Sequence, residues 1–414
     1  MENKNRNTEY GIRDMGSIQA GRGEVLILVI IAIVIAAGWS IYTFSQKDTL
    51  EGAPHIVLST LPDVTASSSL PIASQTPSVP RVTTIAESLA IPWDLAFLPN
   101  GNFLVTERGG TLVELQPNGS TTVIKLPHPK PKGEGGLLGV TLHPQFADNR
   151  YIYLYMSTSE TGSITQNTVF RYKYVDGKLT DEKTIISKIP GALYHDGGRM
   201  EFGPDGLLYI TTGDATISKI AQDKKSLGGK ILRLTDEGAI PETNPFKDSK
   251  NSAQSAIYSY GHRNPQGLAW DSEGKLWETE HGRSGVLSGY DELNLVQLGG
   301  NYGWPTIEGP ATRTDMISPV LQSGADDTWA PASLAYLNGK LYWGGLKGET
   351  LYEATIDGGI VKDFKRHLFQ EFGRIRTVRV GPDGMLYLTT SNRDGRGTPK
   401  EGDDKIIRVN PALL

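Results

Sequence analysis

GPDGLLYITT (residues 203–212) returns almost unchanged as GPDGMLYLTT (381–390). In both copies Pro, Asp and Gly supply a tight turn, with glycine taking positive φ, and the β-branched and aromatic residues that follow favour an extended strand. Looser versions stand at LPNGNFLVTE (98–107), DNRYIYLYMS (148–157), DSEGKLWETE (271–280) and YLNGKLYWGG (336–345). Each has a second strand-like run downstream: GTLVELQPNG (110–119), NTVFRYKYVDG (167–177), GKILRLTDEG (229–238), DELNLVQLGG (291–300), ETLYEATIDGG (349–359) and DKIIRVNP (404–411). Six hairpin units at intervals of about 45–70 residues fit radially arranged four-stranded blades. The pattern predicts an all-β, six-bladed β-propeller over residues 83–414, with Asp205 and Asp383 as turn residues.

The chain upstream reads differently. Val25 to Phe44 (VLILVIIAIVIAAGWSIYTF) contains no charge, and a helix of that length spans roughly the 30 Å of bilayer hydrocarbon. Lys4, Arg6, Arg13 and Arg22 precede it, whereas only Lys47 follows before Arg81. That bias predicts a cytoplasmic segment (1–24), a single transmembrane anchor (25–44) and an extracytoplasmic main domain. A cleaved signal peptide is the competing reading, although the apolar run is long for one and no A-x-A site follows. Residues 45–82, rich in Ser, Thr and Pro, lack the apolar surface to offset ordering entropy and read as a disordered linker.

The 414 residues include no cysteine and carry a formal charge of -5, which excludes a disulfide scaffold and a basic nucleic-acid-binding domain. A propeller gathers loops from every blade around one channel mouth, so its chemistry belongs in loops flanking the blade strands. Several loops carry more glycine and charge than a turn requires: GEGGLLG (133–139), LYHDGGR (193–199), YGHRNPQGLAW (260–270), EHGRSG (280–285), YDELNLVQLGGNYGWP (290–305), GGLKGE (344–349) and FGRIRT (372–377). His195, in a glycine-rich loop, reads by default as a turn or surface residue, although a neutral imidazole can take a proton from an alcohol near neutral pH. Arg374 and Arg376, at i and i+2, project to one face of an extended segment.

Taken together, these loops resemble the glucose/sorbosone dehydrogenase family, six-bladed propellers that use pyrroloquinoline quinone (PQQ) with calcium. GHRNPQGLAW and GGNYGWP are the specific pieces, and the likeness runs over residues 86–411. The resemblance implies a quinoprotein aldose dehydrogenase oxidising the anomeric hydroxyl of an aldose to a lactone. His195 then matches the catalytic base and Asp214 a carboxylate near it that orients the ring. Arg263, Asn264, Lys347, Arg374 and Arg376 match the residues that hold the quinone carboxylates, a task suited to convergent guanidinium groups. His281, Gly282 and Arg283 match the calcium-bearing backbone, although Arg283 stands where proline is expected and Leu287 to Tyr290 form extra loop residues. Asp291, Glu292 and Tyr302 match a further calcium site; they suit equally a solvated hairpin with a core tyrosine. Glu134 matches a substrate-pocket position, and Trp304 reads as core. An external electron acceptor, a quinone or an electron-transfer protein, is implied as well. A calcium-dependent propeller lactonase and a non-catalytic carbohydrate- or protein-binding propeller are the alternatives.

Overall fold

The computed structural model describes residues 79–159, 165–285 and 288–414. Within them the chain forms six antiparallel four-stranded sheets. The first strand in sequence, β1 (Val82–Ala86), belongs to the last blade. Blade 1 is β2 to β5 (Pro92–Phe97, Phe103–Glu107, Thr111–Leu115, Thr121–Lys125). Blade 2 is β6 to β9 (Leu137–Leu142, Tyr151–Ser159, Thr165–Val175, Lys178–Pro190), and blade 3 is β10 to β13 (Met200–Phe202, Leu208–Thr212, Lys230–Leu234, Ile257–Tyr260). Blade 4 is β14 to β17 (Pro265–Trp270, Leu276–Glu280, Glu292–Val296, Leu321–Gln322), and blade 5 is β18 to β21 (Ala335–Leu337, Lys340–Gly345, Thr350–Asp357, Ile360–His367). Blade 6 combines β22 to β24 (Ile375–Val380, Leu386–Thr390, Ile406–Val409) with β1, which lies outermost and pairs Val82 with Val409 and Thr83 with Arg408. The first strands β2, β6, β10, β14, β18 and β22 each touch the next around a ring, and β22 touches β2. The expected six-bladed propeller is the fold observed.

Every blade is covered by a neighbour on both faces. That is why β11, β12, β15 and β23 are buried at all five positions and carry apolar and polar side chains without simple alternation. Trp93, Leu138, Tyr155, Ile210 and Leu232 pack in one seam, and Trp277, Trp329, Trp343 and Tyr352 in another. Outer strands such as β5 and β21 face water and are largely polar. The two G-P-D-G copies are the turns entering β11 and β23. Asp205 accepts from the Leu207 N–H (3.2 Å) and the Tyr209 hydroxyl (3.0 Å). Asp383 does the same with Met385 (3.1 Å) and Tyr387 (3.1 Å). Both aspartates are turn residues.

Along the axis the first strands enclose a charged array. Asp94, fully buried, pairs with Arg199 (2.6 Å) and Arg379 (2.8 Å), and Arg379 also bonds Glu201. Arg199 donates further to the carbonyls of Gln266 (3.1 Å) and Ala332 (2.9 Å), and its guanidinium lies 4.6 Å from the Trp93 ring centroid. Blades 1, 3, 4, 5 and 6 are thus bonded through one centre. Among the described residues no helix is long and apolar enough to cross a membrane. The expected anchor (25–44), the segment before it and residues 45–78 lie outside the described residues.

Candidate active site

Loops leading into the first strands of the blades and loops joining second strands to third converge at one mouth of the channel. They wall a cavity of about 750 Å³ lined by Glu134, His195, Arg263, His281, Lys347 and Arg374, among others. A hollow of about 20 Å³ shares Glu134, His281 and Arg396 with it and is lined further by Asp196, Asn264 and Arg376. The opposite mouth holds a cavity of about 400 Å³ whose wall is mainly apolar, with Phe97, Leu142, Phe202, Trp270 and Val380. Its two charges, Arg379 and Glu201, are bonded to each other. Only the first mouth gathers groups able to act on a ligand.

The HDGG run explains how His195 reaches that cavity. His195 takes a φ of 65° and Gly197 one of 67°, a backbone region costly for most L-residues. A Cβ on Gly197 would stand 2.6 Å from the Thr211 carbonyl oxygen, and one on Gly213 would stand 1.9 Å from the His195 carbonyl. Glycine at both places lets the loop lie flat on β11. The imidazole Nδ1 meets Asp214 Oδ1 at 2.7 Å, so Nε2 is the nitrogen left for a substrate. Asp214 also accepts from the Thr216 N–H (2.8 Å) and the Trp304 indole N–H (2.8 Å). Burial works to raise its carboxyl, but the imidazole and these donors outweigh it and hold it below the ordinary aspartate value. Trp304, expected in the core, is therefore a brace for Asp214, and its ring lies 5.3 Å from the Arg263 guanidinium.

The five expected cofactor residues come together from blades 4, 5 and 6. Arg263 donates to the His281 carbonyl (3.3 Å) and the Ser284 hydroxyl (2.7 Å) and, among the described residues, faces no carboxylate within bonding distance. Asn264 accepts from the Gly197 N–H (3.1 Å), while its amide nitrogen is buried with no partner among the described residues. Lys347 is exposed to the cavity. Arg374 and Arg376 are both buried and share Asp394, at 2.8 and 3.6 Å. Burial, together with its cationic neighbours, pushes Arg376 down to about 10, still protonated at neutral pH. This donor set suits a planar polycarboxylate: Arg263 and Lys347, bonded to no carboxylate among the described residues, face the larger cavity, and the orphaned Asn264 amide belongs to the hollow beside it.

The residues expected around calcium separate into two groups. The carbonyl of His281 already accepts from Arg263 and that of Arg283 from the Gly289 N–H (3.3 Å). The Arg283 side chain turns away to Glu308 (3.3 Å) and the Tyr290 ring (4.5 Å). Desolvation pushes the His281 imidazole down to about 3, leaving it neutral with an unpaired Nε2. Asp291 accepts from the N–H groups of Gly282 (2.8 Å), Trp329 (2.6 Å) and Ala330 (2.9 Å). The Tyr302 hydroxyl is engaged with Leu295 and Gln297. These two side chains brace loops, although Asp291 also lines the cavity. Glu292 instead joins Glu278 and Glu280, all three accepting from the Asn294 amide at 3.1 to 3.4 Å. Burial raises all three carboxyls, Glu280 to about 7, and repulsion from Glu280 adds to the rise at Glu278 and Glu292. His262, Glu278 and Glu280 bring ligand atoms within 4.8 Å of one another. Three buried carboxyl groups without a cation fit a hard divalent ion better than the 281–283 backbone does.

Sequence reasoning missed Glu278, Glu280, Asp394 and Arg396. The alternation E-T-E in β15 was a usable signal, because a fully buried strand rarely carries two carboxylates on one face. Asp394 and Arg396 lie in SNRDGRG, which looks like the end of a repeated hairpin.

A family model described as Glucose / Sorbosone dehydrogenase matches residues 89–407. The chain is 35% identical over 364 residues to the aldose sugar dehydrogenase YliI of Escherichia coli (strain K12), covering 81% of this chain and 94% of that protein. Among solved structures, it is similar to a putative oxidoreductase (glucose dehydrogenase) from Thermus thermophilus, with 42% identity and a TM-score of 0.75 over 79% of this chain and 99% of that one. It is similar also to the PQQ-bound form of an aldose sugar dehydrogenase from Streptomyces coelicolor, with 39% identity and a TM-score of 0.72 over 79% of this chain and 97% of that one.

Proposed function

Because the chain belongs to the glucose/sorbosone dehydrogenase family, we propose that it is a PQQ-dependent aldose dehydrogenase that oxidises an anomeric hydroxyl to a lactone, with His195 as general base. The observation that carries this reading is the meeting of His195, Arg263, Lys347 and Arg374 in one cavity. PQQ, when bound, supplies the hydride acceptor. Arg263, Asn264, Lys347, Arg374 and Arg376 would hold it, their donors matching carboxylate oxygens.

Asp214 fixes His195 with Nδ1 inward, so Nε2 receives the hydroxyl proton of the sugar. As the ring becomes imidazolium, the buried Asp214 carboxylate stabilises it, and the Trp304 indole keeps that carboxylate in place. Glu134, in the same wall, accepts hydrogen bonds from other sugar hydroxyls. Calcium, when bound, would supply charge stabilisation; the Glu278, Glu280 and Glu292 group would hold one ion, and the Gly282 backbone, which lines the pocket, is the other candidate. Residues 25–44 anchor the chain with the propeller outside the cytoplasm, and a quinone or an electron-transfer protein collects the electrons. The charge asymmetry about residues 25–44 supports that orientation.

The test is reconstitution of the detergent-solubilised full chain with PQQ and Ca²⁺, scored by aldose-dependent dye reduction and by cofactor absorbance. His195→Ala should lose about 10²- to 10⁴-fold in kcat while binding PQQ as before. Equal activity in the variant would remove His195 from proton transfer, and absence of cofactor binding would end the quinoprotein reading.

A further inference from the structure

The cavity wall contains a cross-link from blade 6 to the loop before blade 2. Arg396 reaches Glu134 Oε1 at 2.6 Å, and Glu134 Oε2 accepts the main-chain N–H of His195 at 3.0 Å. The guanidinium also lies 5.3 Å from the ring centroid of Tyr194, the residue before the histidine. At its own end Arg396 is held by the turn that carries it: its N–H donates to Asp394 Oδ1 (2.9 Å), and Asp394 Oδ2 is clamped by Arg374 and Arg376. One run of contacts therefore joins the cofactor cations to the backbone of the base.

We propose that Arg396 is a positioning residue of the substrate pocket: bonded to Glu134 and seated on Tyr194, it fixes the carboxylate that meets the sugar hydroxyls and, through it, the His195 main chain. This rests on the dehydrogenase reading for the identity of the substrate, a neutral polyhydroxylated aldose.

Exposed ion pairs usually contribute little, since both side chains lose entropy in high dielectric. Arg396 is half exposed and Glu134 is 25% exposed, yet neither partner is free to wander. Each is fastened by a second contact, so little further ordering is needed for the bond between them. The His195 loop has reason to need fastening, because its left-handed φ is a conformation the chain abandons without restraint. Among the described residues Glu134 is the only side chain that accepts the His195 N–H. The other charged groups that interact with Glu134, namely Arg108, Asp196, Arg263, His281 and Arg376, make no hydrogen bond to its carboxylate among the described residues. Its orientation therefore falls to Arg396.

Full-length wild type, Arg396→Ala, Arg396→Lys, Glu134→Gln and the double variant Glu134→Gln/Arg396→Ala decide the matter through three readouts. These are PQQ affinity by absorbance titration, KM and kcat for glucose, and the ¹³C NMR titration of the Glu134 carboxyl in cofactor-free protein. Arg396→Ala should raise KM about tenfold with a smaller fall in kcat and unchanged PQQ affinity. Its Glu134 should titrate at higher pH than in wild type, because a cation that stabilises the carboxylate is gone. Arg396→Lys should lie between. In the Glu134→Gln background, loss of Arg396 should change KM less than about twofold. A wild-type KM and Glu134 titration in Arg396→Ala would overturn the proposal, as would an undiminished KM rise in the double variant. Should wild type neither bind PQQ nor oxidise glucose, the dehydrogenase reading fails, and the Glu134 titration alone still decides whether Arg396 holds that carboxylate.

Discussion

Two sets of buried carboxylates in this protein show opposite states of completion. On the axis, Asp94 faces two guanidinium groups, and Glu201 takes the remaining valence of Arg379. In blade 4, Glu278, Glu280 and Glu292 surround one asparagine amide, and among the described residues no Lys or Arg side chain is bonded to them. Asp196 Oδ2, Asn264 Nδ2 and His281 Nε2 are orphaned on the blade 4 and pocket side, whereas Gln166 Oε1, Trp343 Nε1 and Tyr352 OH, orphaned in blades 2 and 5, carry no charge. Charge that serves only the fold is matched within the chain. Charge left unmatched clusters where something from outside would complete it.

The contrast breaks most visibly at Asp94. Asp94→Asn leaves the buried Arg199 guanidinium without a carboxylate and takes one of two from the partly buried Arg379, and should cost about 3–5 kcal/mol in denaturant unfolding. A loss under about 1 kcal/mol would mean that water or Glu201 already compensates Arg199. Next comes the unmatched set: Ca²⁺ added to chelator-treated protein should raise the unfolding free energy by about 2.7 kcal/mol at a hundredfold excess over Kd. Glu292→Gln should abolish that rise, whereas a rise that survives it would place the ion elsewhere.

Asp196 gives an effect that changes with pH, and burial fixes its sign. Burial raises its carboxyl to about 7, against an ordinary value of 3.8. Between those values the folded state keeps a proton that the unfolded chain has released, so its contribution is complete below the lower value and has been lost once pH passes the upper one. The stability difference between wild type and Asp196→Asn should fall by at most about 1.4 kcal/mol per pH unit over that window. A difference that grows with pH would show that Asp196 is ionised and paired in the fold.

How much of this could be read beforehand depended on where each signal was written. The second and third strands of every blade were legible because turn chemistry is local: Asp, Pro and Gly must stand beside the strand they introduce. First strands such as Met200–Phe202 and outer ones such as Leu321–Gln322 are too short to show a period. The closure of blade 6 by Val82–Ala86 leaves no local trace either, and the expected linker ran through Val82. In the site, glycine-framed His195 and the spaced arginines stood out as charge in excess of turn needs. Trp304 did not, since an indole that braces a carboxylate and one that fills a seam are the same letter. Asp394 and Arg396 were hidden by the very repeat that revealed the fold.

The pairing of β1 with β24 has a consequence in time. A ribosome releases Val82–Ala86 early, but their partner, Ile406–Val409, emerges more than three hundred residues later. Until then blade 6 lacks its third strand and β1 its partner, on the side from which Arg374, Arg376 and Arg396 enter. The nascent chain can thus complete no pocket before synthesis is nearly over, and any nonsense codon ahead of residue 406 yields a product that is unclosed as well as shortened.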